Sequence, residues 1–152
     1  MSQVEMVIDS VRRGVLKEEW TIVLKEENGE RYLPIVVGKP QADLVSRELL
    51  HMVRRQLPSF DLELRQRASY DLQLDDIETK AGIKLDSSKL ESVTINRVEN
   101  NVFSAKLLLT YHDESYEVDY SPAKALAFAL RLRAPIFADE GVLHKAAIVN
   151  SF

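Results

Sequence analysis

One stretch, Ser115 to Leu130, narrows the folds open to this chain more than any other. Its first part alternates, with Tyr116, Val118 and Tyr120 on one side and Glu117 and Asp119 on the other, the period of a half-buried strand. Ser121 then offers a hydroxyl as an N-cap, and Pro122 fills the first helical position, where a missing N–H costs nothing. From Ala123 to Leu130 the chain is almost wholly Ala, Leu and Phe, broken by Lys124. A helix that is apolar nearly all round has to be packed on several sides, and its alanines let neighbouring backbone come close. The stretch predicts a strand that feeds a core helix.

The same grammar occurs earlier. Arg31 to Val37 reads as a strand, followed by Gly38-Lys39-Pro40-Gln41-Ala42-Asp43-Leu44. Pro40 and Pro122 each open a helix after a strand that begins near a tyrosine, and each strand follows another strand and a tight polar turn. This predicts an internal duplication of a three-strand meander plus a helix, with chance likeness of two strand–helix junctions as the alternative. The expected class is α+β, in one domain spanning 1–152.

Composition sets the bounds. At 152 residues, 45% hydrophobic and 29% charged, the chain fits one compact domain. The lack of cysteine excludes disulfides and thiolate metal sites and suits a cytoplasmic protein. No charged-then-apolar leader occurs, nor any apolar run near the ~18 residues of a membrane span. A net charge of -4 argues against a strongly basic nucleic-acid binder, although arginines fall in near pairs such as Arg12/Arg13 and Arg131/Arg133.

Along the chain, Val4 to Val11 reads as a first strand and Trp20 to Leu24 as a second. Glu26-Glu27-Asn28-Gly29 is expected to form a hairpin turn, since Asn-Gly suits the positive φ angles of a two-residue loop. Pro34 cannot donate to a ladder, so its strand is expected at an edge or at a bulge. Ala42, Leu44, Val45, Leu49, Met52 and Val53 recur at helical spacing over Pro40 to Gln56. Residues 60–90 form a middle segment of mixed pattern. Val93 begins the second half, Glu99-Asn100-Asn101 and His112-Asp113-Glu114-Ser115 are turns, and Asp139 to Ala147 is a short helix before a frayed tail at 148–152.

Candidate chemistry is sparse. No Gly-rich phosphate loop, zinc motif or nucleophile elbow occurs. Asp71, Asp75, Asp76 and Glu78 form an acidic cluster that reads best as a dipole-favoured first turn. His112-Asp113-Glu114 reads as a polar hairpin tip, and neither His51 nor His144 has a partner at motif spacing. Lys39 and Lys124 stand beside or within the first turns of the two helices. There a cation opposes the helix dipole by roughly 0.3–1 kcal/mol. Either both are exposed lysines, or the two N-termini, with Ser121, attract an anion such as phosphate.

Four segments in order carry a resemblance: Tyr32-Leu33-Pro34-Ile35-Val36-Val37-Gly38, Asn101-Val102-Phe103-Ser104-Ala105-Lys106-Leu107, Asp119-Tyr120-Ser121-Pro122 and Ala134-Pro135-Ile136-Phe137. The chain resembles the bifunctional nuclease domain family. That resemblance implies an α+β fold, a homodimer, and hydrolysis of DNA and RNA phosphodiesters, with a divalent metal as an open question because no metal motif is present. Family members place a glutamate after the first junction's glycine, where this chain has Gln41. The family's Thr-His-Asp-Leu segment falls on Ser59-Phe60-Asp61-Leu62 or, with a gap, Ser69-Tyr70-Asp71-Leu72. Its second junction, Arg-Pro-Ser-Asp, reads Ser121-Pro122-Ala123-Lys124 here. The resemblance therefore leaves Asp119, Asp61 and Gln41 as catalytic candidates and Lys39, Ser121 and Lys124 as phosphate-binding ones. The alternative is a non-catalytic dimeric binding or regulatory module that keeps only the fold.

Overall fold

The computed structural model describes residues 2–14, 19–54 and 89–149. Within them the chain runs β1 (Gln3–Arg13), β2 (Trp20–Glu26), β3 (Tyr32–Val37), α1 (Lys39–Arg54), β4 (Lys89–Glu99), β5 (Val102–Tyr111), β6 (Glu114–Tyr120), α2 (Pro122–Leu132), β7 (Ile136–Asp139) and α3 (Glu140–Ala146). The described strands form one seven-stranded sheet in the order β3-β2-β1-β7-β4-β5-β6. The two meanders are β1-β2-β3 and β4-β5-β6, each antiparallel and each followed by its helix. β7 lies between them, antiparallel to β1 and parallel to β4. The two first strands therefore run in opposite directions, which places the halves about an approximate two-fold axis. The duplication and the α+β class expected from the sequence are both present.

One face of the sheet is buried beneath the helices. Met6, Ile22, Leu24, Leu33 and Ile35 from the first meander join Val93, Ile95, Ala105, Leu107, Leu109 and Val118 from the second in one core. α1 and α2 pack on each other above it. Ala42 and Val45 of α1 are fully buried, as are Ala125, Leu126 and Ala127 of α2. α2 is the core helix, buried at Ala123 and continuously from Ala125 to Leu130. It stops at Arg133, which takes the left-handed conformation (φ 57°), and Ala134 N–H donates to Ala129 O at 2.9 Å. That is the 6→1 bond of a Schellman ending, with Pro135 just beyond it.

Register shifts interrupt the alternation of β1 and β4. In β4 the register shifts between Leu90 and Ser92 and again between Ile95 and Arg97, so Leu90, Val93, Ile95 and Val98 all reach the core despite uneven spacing. An extra residue at each bulge turns a spacing of two into three on one face. The second half thus begins at Lys89, four residues before the expected Val93. β1 shifts likewise between Ile8 and Ser10. Pro34 sits, as expected, on an edge strand.

The first hairpin differs from expectation. Glu26 N–H donates to Arg31 O at 3.0 Å, which closes a loop wider than two residues. Gly29 is there for room: a Cβ would lie 1.5 Å from a Glu26 carboxylate oxygen. The positive φ pairs fall instead at Asn100-Asn101 (50° and 64°) and His112-Asp113 (49° and 63°). Both join strands in tight two-residue loops, Glu99 pairing with Val102 and Tyr111 with Glu114. The latter strand starts at Glu114 rather than after Ser115. Ile148, expected in a frayed tail, exchanges two hydrogen bonds with Tyr32 at the outer edge of β3, at 2.7 and 2.8 Å. Residues 150–152 and the middle segment to 88 lie outside the described residues.

Beneath the first hairpin, Arg31 donates through Nε to Glu26 and through its two terminal nitrogens to both oxygens of Glu140, at 2.6 and 3.1 Å. This guanidinium fastens the β2–β3 turn to the start of α3. Glu26 is 9% exposed, so removing Arg31 leaves a buried carboxylate without its cation. Arg31→Met is expected to cost about 2 kcal/mol, read by urea unfolding. Hydrogen bonds from Arg31, helped by its charge, also hold the Glu140 carboxyl below its usual 4.5. A depressed folded-state value means the unfolded chain takes up the proton first. This part of the stability is therefore full above pH 4.5 and lost as pH falls through the lower folded value. The fall in Tm below that pH should be shallower in Arg31→Met than in the parent chain.

Candidate phosphate-binding site

The first turn of α1 is built by Gly38. Its carbonyl accepts the Ala42 N–H at 3.0 Å, so Gly38 caps the helix. A Cβ at Gly38 would lie 2.7 Å from Gln41 Oε1, which shows how closely the Gln41 side chain folds back over the cap. Gln41 stands three residues after the cap, where a glutamine reaches back toward the helix start. Lys39 Nζ pairs with Asp43 Oδ2 at 3.3 Å, one turn along the helix. Neither α1 nor α2 has an acid in its first turn.

A cavity of about 440 Å³ opens where α1 meets α2, lined by Lys39, Pro40, Gln41, Asp43, Leu44, Arg47 and Lys124. Three of the six residues singled out from the sequence therefore come together: Lys39, Gln41 and Lys124. Lys124 also lies over the Tyr120 ring, its Nζ 5.9 Å from the centroid. Ser121 is the exposed N-cap of α2, but its hydroxyl makes no capping bond; its carbonyl accepts the Ala125 N–H at 2.9 Å. Asp119 is not among the residues lining the cavity. Its side chain is 88% exposed on the edge strand β6, 3.8 Å from Lys106 Nζ. Asp61 lies outside the described residues, as do Asp71, Asp75, Asp76 and Glu78.

Two charged lining residues, Asp43 and Arg47, are not among the site candidates that the sequence offers. Lys39, Asp43 and Arg47 are spaced by four, which puts them on one stripe of α1. That stripe was legible, but nothing in the sequence said it faced Lys124. Chemically the cavity offers three cations, an amide, one carboxylate, and apolar wall from Pro40 and Leu44. Such a set can hold an anion with an organic substituent. Among the described residues no group of three His, Cys, Asp or Glu side chains converges that could hold a metal ion. No described helix is long and apolar enough to cross a membrane.

Two uncharacterized proteins of Mycobacterium tuberculosis, MT1877 of strain CDC 1551 / Oshkosh and Rv1829 of strain ATCC 25618 / H37Rv, are each 28% identical to the chain over 145 residues. The match covers 95% of this chain and 77% of each relative. The model of the bifunctional nuclease domain matches residues 22–151, from the second strand of the first meander through α3. By that match the chain belongs to the bifunctional nuclease domain family.

Proposed function

We propose that this chain acts on nucleic acid by seating a phosphate of DNA or RNA in the α1/α2 cavity, and that binding rather than efficient hydrolysis is its main activity. The observation that carries this reading is the convergence of Lys39, Arg47 and Lys124 on one cavity whose described lining has a single carboxylate, Asp43, already paired with Lys39. Phosphate oxygens are matched by such donors. Gln41 stands where family members carry a glutamate, and an amide can hydrogen-bond a phosphate oxygen but cannot take a proton as a base. The test is fluorescence anisotropy with labelled single- and double-stranded oligonucleotides. Micromolar binding that weakens with salt supports the reading, and no binding at 50 mM salt ends it.

Hydrolysis is the second reading, favoured by the family and by Asp43, a carboxylate that already lines the cavity. Asp43, Asp61 and Asp119 are then the acids to test, with and without a divalent metal. Cleavage that persists unchanged in Asp43→Asn, Asp61→Asn and Asp119→Asn would belong to a contaminant or to another site. The family resemblance also supports a homodimer, and the cysteine-free sequence a cytoplasmic setting. A monomeric mass by light scattering at 100 µM would remove the dimer (roughly the concentration at which weak assemblies form).

A further inference from the structure

The two edges of the sheet are built differently. β3 is closed on its outer side: Tyr32 exchanges two hydrogen bonds with Ile148, and Pro34 has no N–H to offer. β6, the other edge, runs from Glu114 to Tyr120 without proline or glycine and in unbroken register with β5. Among the described residues it pairs with no other strand. The hairpin before it closes through a two-residue loop at positive φ, His112-Asp113, so Tyr111 and Glu114 are a hydrogen-bonded pair. Antiparallel ladders alternate. Tyr116, Val118 and Tyr120 therefore direct their backbone groups to β5, while Ser115, Glu117 and Asp119 point theirs outward. Such an edge is a template for one more strand.

We propose that this edge takes up, as a further strand of the sheet, an extended segment of a partner protein in which lysine or arginine recurs at every second residue. Residues directly opposite each other on paired strands share a face. A strand bonded to Ser115, Glu117 and Asp119 therefore sets alternate side chains beside the Glu117 and Asp119 carboxylates, on the side away from the helices. Those carboxylates are 65% and 88% exposed and share one cation, Lys106, at 3.4 and 3.8 Å. From Asp113 to Tyr120 the chain carries four acids and no lysine or arginine. Cations on an incoming strand thus meet negative charge that Lys106 alone does not balance. The intervening residues of that strand fall beside Tyr116 and Val118, which favours β-branched apolar side chains there. A second copy of this chain fits badly. Pairing β6 with itself, antiparallel over its full length, sets Glu117 against Glu117, and like charges directly opposite destabilise a sheet.

The experiment follows amide hydrogen exchange by NMR while a short synthetic peptide of alternating lysine and valine is added, with a peptide of alternating glutamate and valine for comparison. In the free protein the amides of Tyr116, Val118 and Tyr120 should exchange slowly, and those of Ser115, Glu117 and Asp119 quickly. Saturation with the lysine peptide is expected to slow the latter three by roughly tenfold or more, and the glutamate peptide should leave them unchanged. The double variant Glu117→Gln, Asp119→Asn, shown by a thermal melt to be folded, should bind the lysine peptide roughly three- to tenfold more weakly, the worth of two exposed ion pairs. Ser115→Pro removes one outward N–H, keeps both acids, and should weaken binding as well. No binding at about 1 mM peptide, binding that leaves the three amides fast, or equal affinity of the neutralised variant would each overturn the proposal. So would slowing of the same amides on raising the protein concentration alone, with a doubled mass by light scattering, because a second copy would then occupy the edge.

Discussion

Phe128→Ala should destabilise the protein by about 3–5 kcal/mol, the range for removing a fully packed aromatic ring. Phe128 is 1% exposed, near the middle of α2, and its ring lies 5.8 Å from that of Tyr120 at a tilt of 50°. The ring thus ties the core helix to the strand that feeds it. Phe128 lies between Ala127 and Ala129 in α2, so the helix itself brings little side chain beside it to fill the space. A loss of this size is a large share of a typical stability of 5–15 kcal/mol, so the variant should unfold at a clearly lower urea midpoint. Phe128→Leu, which keeps most of the volume, should cost far less. Equal loss from both would mean that packing density is not what holds α2 in place.

The second large effect separates binding from folding. Lys124→Glu places a carboxylate in the first turn of α2, where a negative charge is favoured by about 0.3–1 kcal/mol. Against that stands the loss of the contact between half-buried Lys124 and the Tyr120 ring, about 1 kcal/mol. These two terms are small and opposed, so the variant should stay folded, which a thermal melt of the free protein checks. Oligonucleotide binding, by contrast, loses a charged hydrogen bond worth about 1.5–3 kcal/mol and gains a repulsion. A fall of at least tenfold is expected for Lys124→Glu alone, and about a hundredfold when Lys39→Glu is added. Lys39 sits at the start of α1 and is paired with Asp43 on an exposed surface, so its own contribution to folding is small. Binding that survives the double reversal would show that the cavity is not where the ligand sits.

How much of this was legible depends on which residues carry it. The strand into α2 could be read directly, because Tyr116, Val118 and Tyr120 alternate without interruption and Ser121-Pro122 marks the helix start. The duplication was visible through the two prolines. β4 was harder, since bulges near Glu91 and Asn96 put Leu90, Val93, Ile95 and Val98 on one face at spacings that fit no regular pattern. The Asn28-Gly29 pair misled, because Gly29 serves the close approach of the Glu26 carboxylate and not a positive φ. Glu48, 2% exposed on α1, could not be foreseen either: an acid in an amphipathic pattern reads as surface. β7 was legible only as an extended piece, since its place between the two halves depends on pairing with strands over 40 residues away.

The site shows the same division. Lys39 and Lys124 were chosen by position relative to two helix starts, and the fold brings both to one cavity. Arg47 was missed because its role depends on the way α1 lies against α2, which is a property of tertiary packing. Asp119 was chosen from a resemblance in sequence. The strand alternation that buries Val118 and Tyr120 turns Asp119 to the other side, away from the helices.

The most direct test of phosphate recognition at this cavity is the salt dependence of binding to one 5′-phosphorylated oligonucleotide, compared between the parent chain and Lys124→Gln. If Lys124 meets a phosphate, removing it should weaken binding and flatten the plot of log K against log salt by about one unit, in a variant that a thermal melt shows to be folded. Parallel plots of equal affinity for the two proteins would contradict the account.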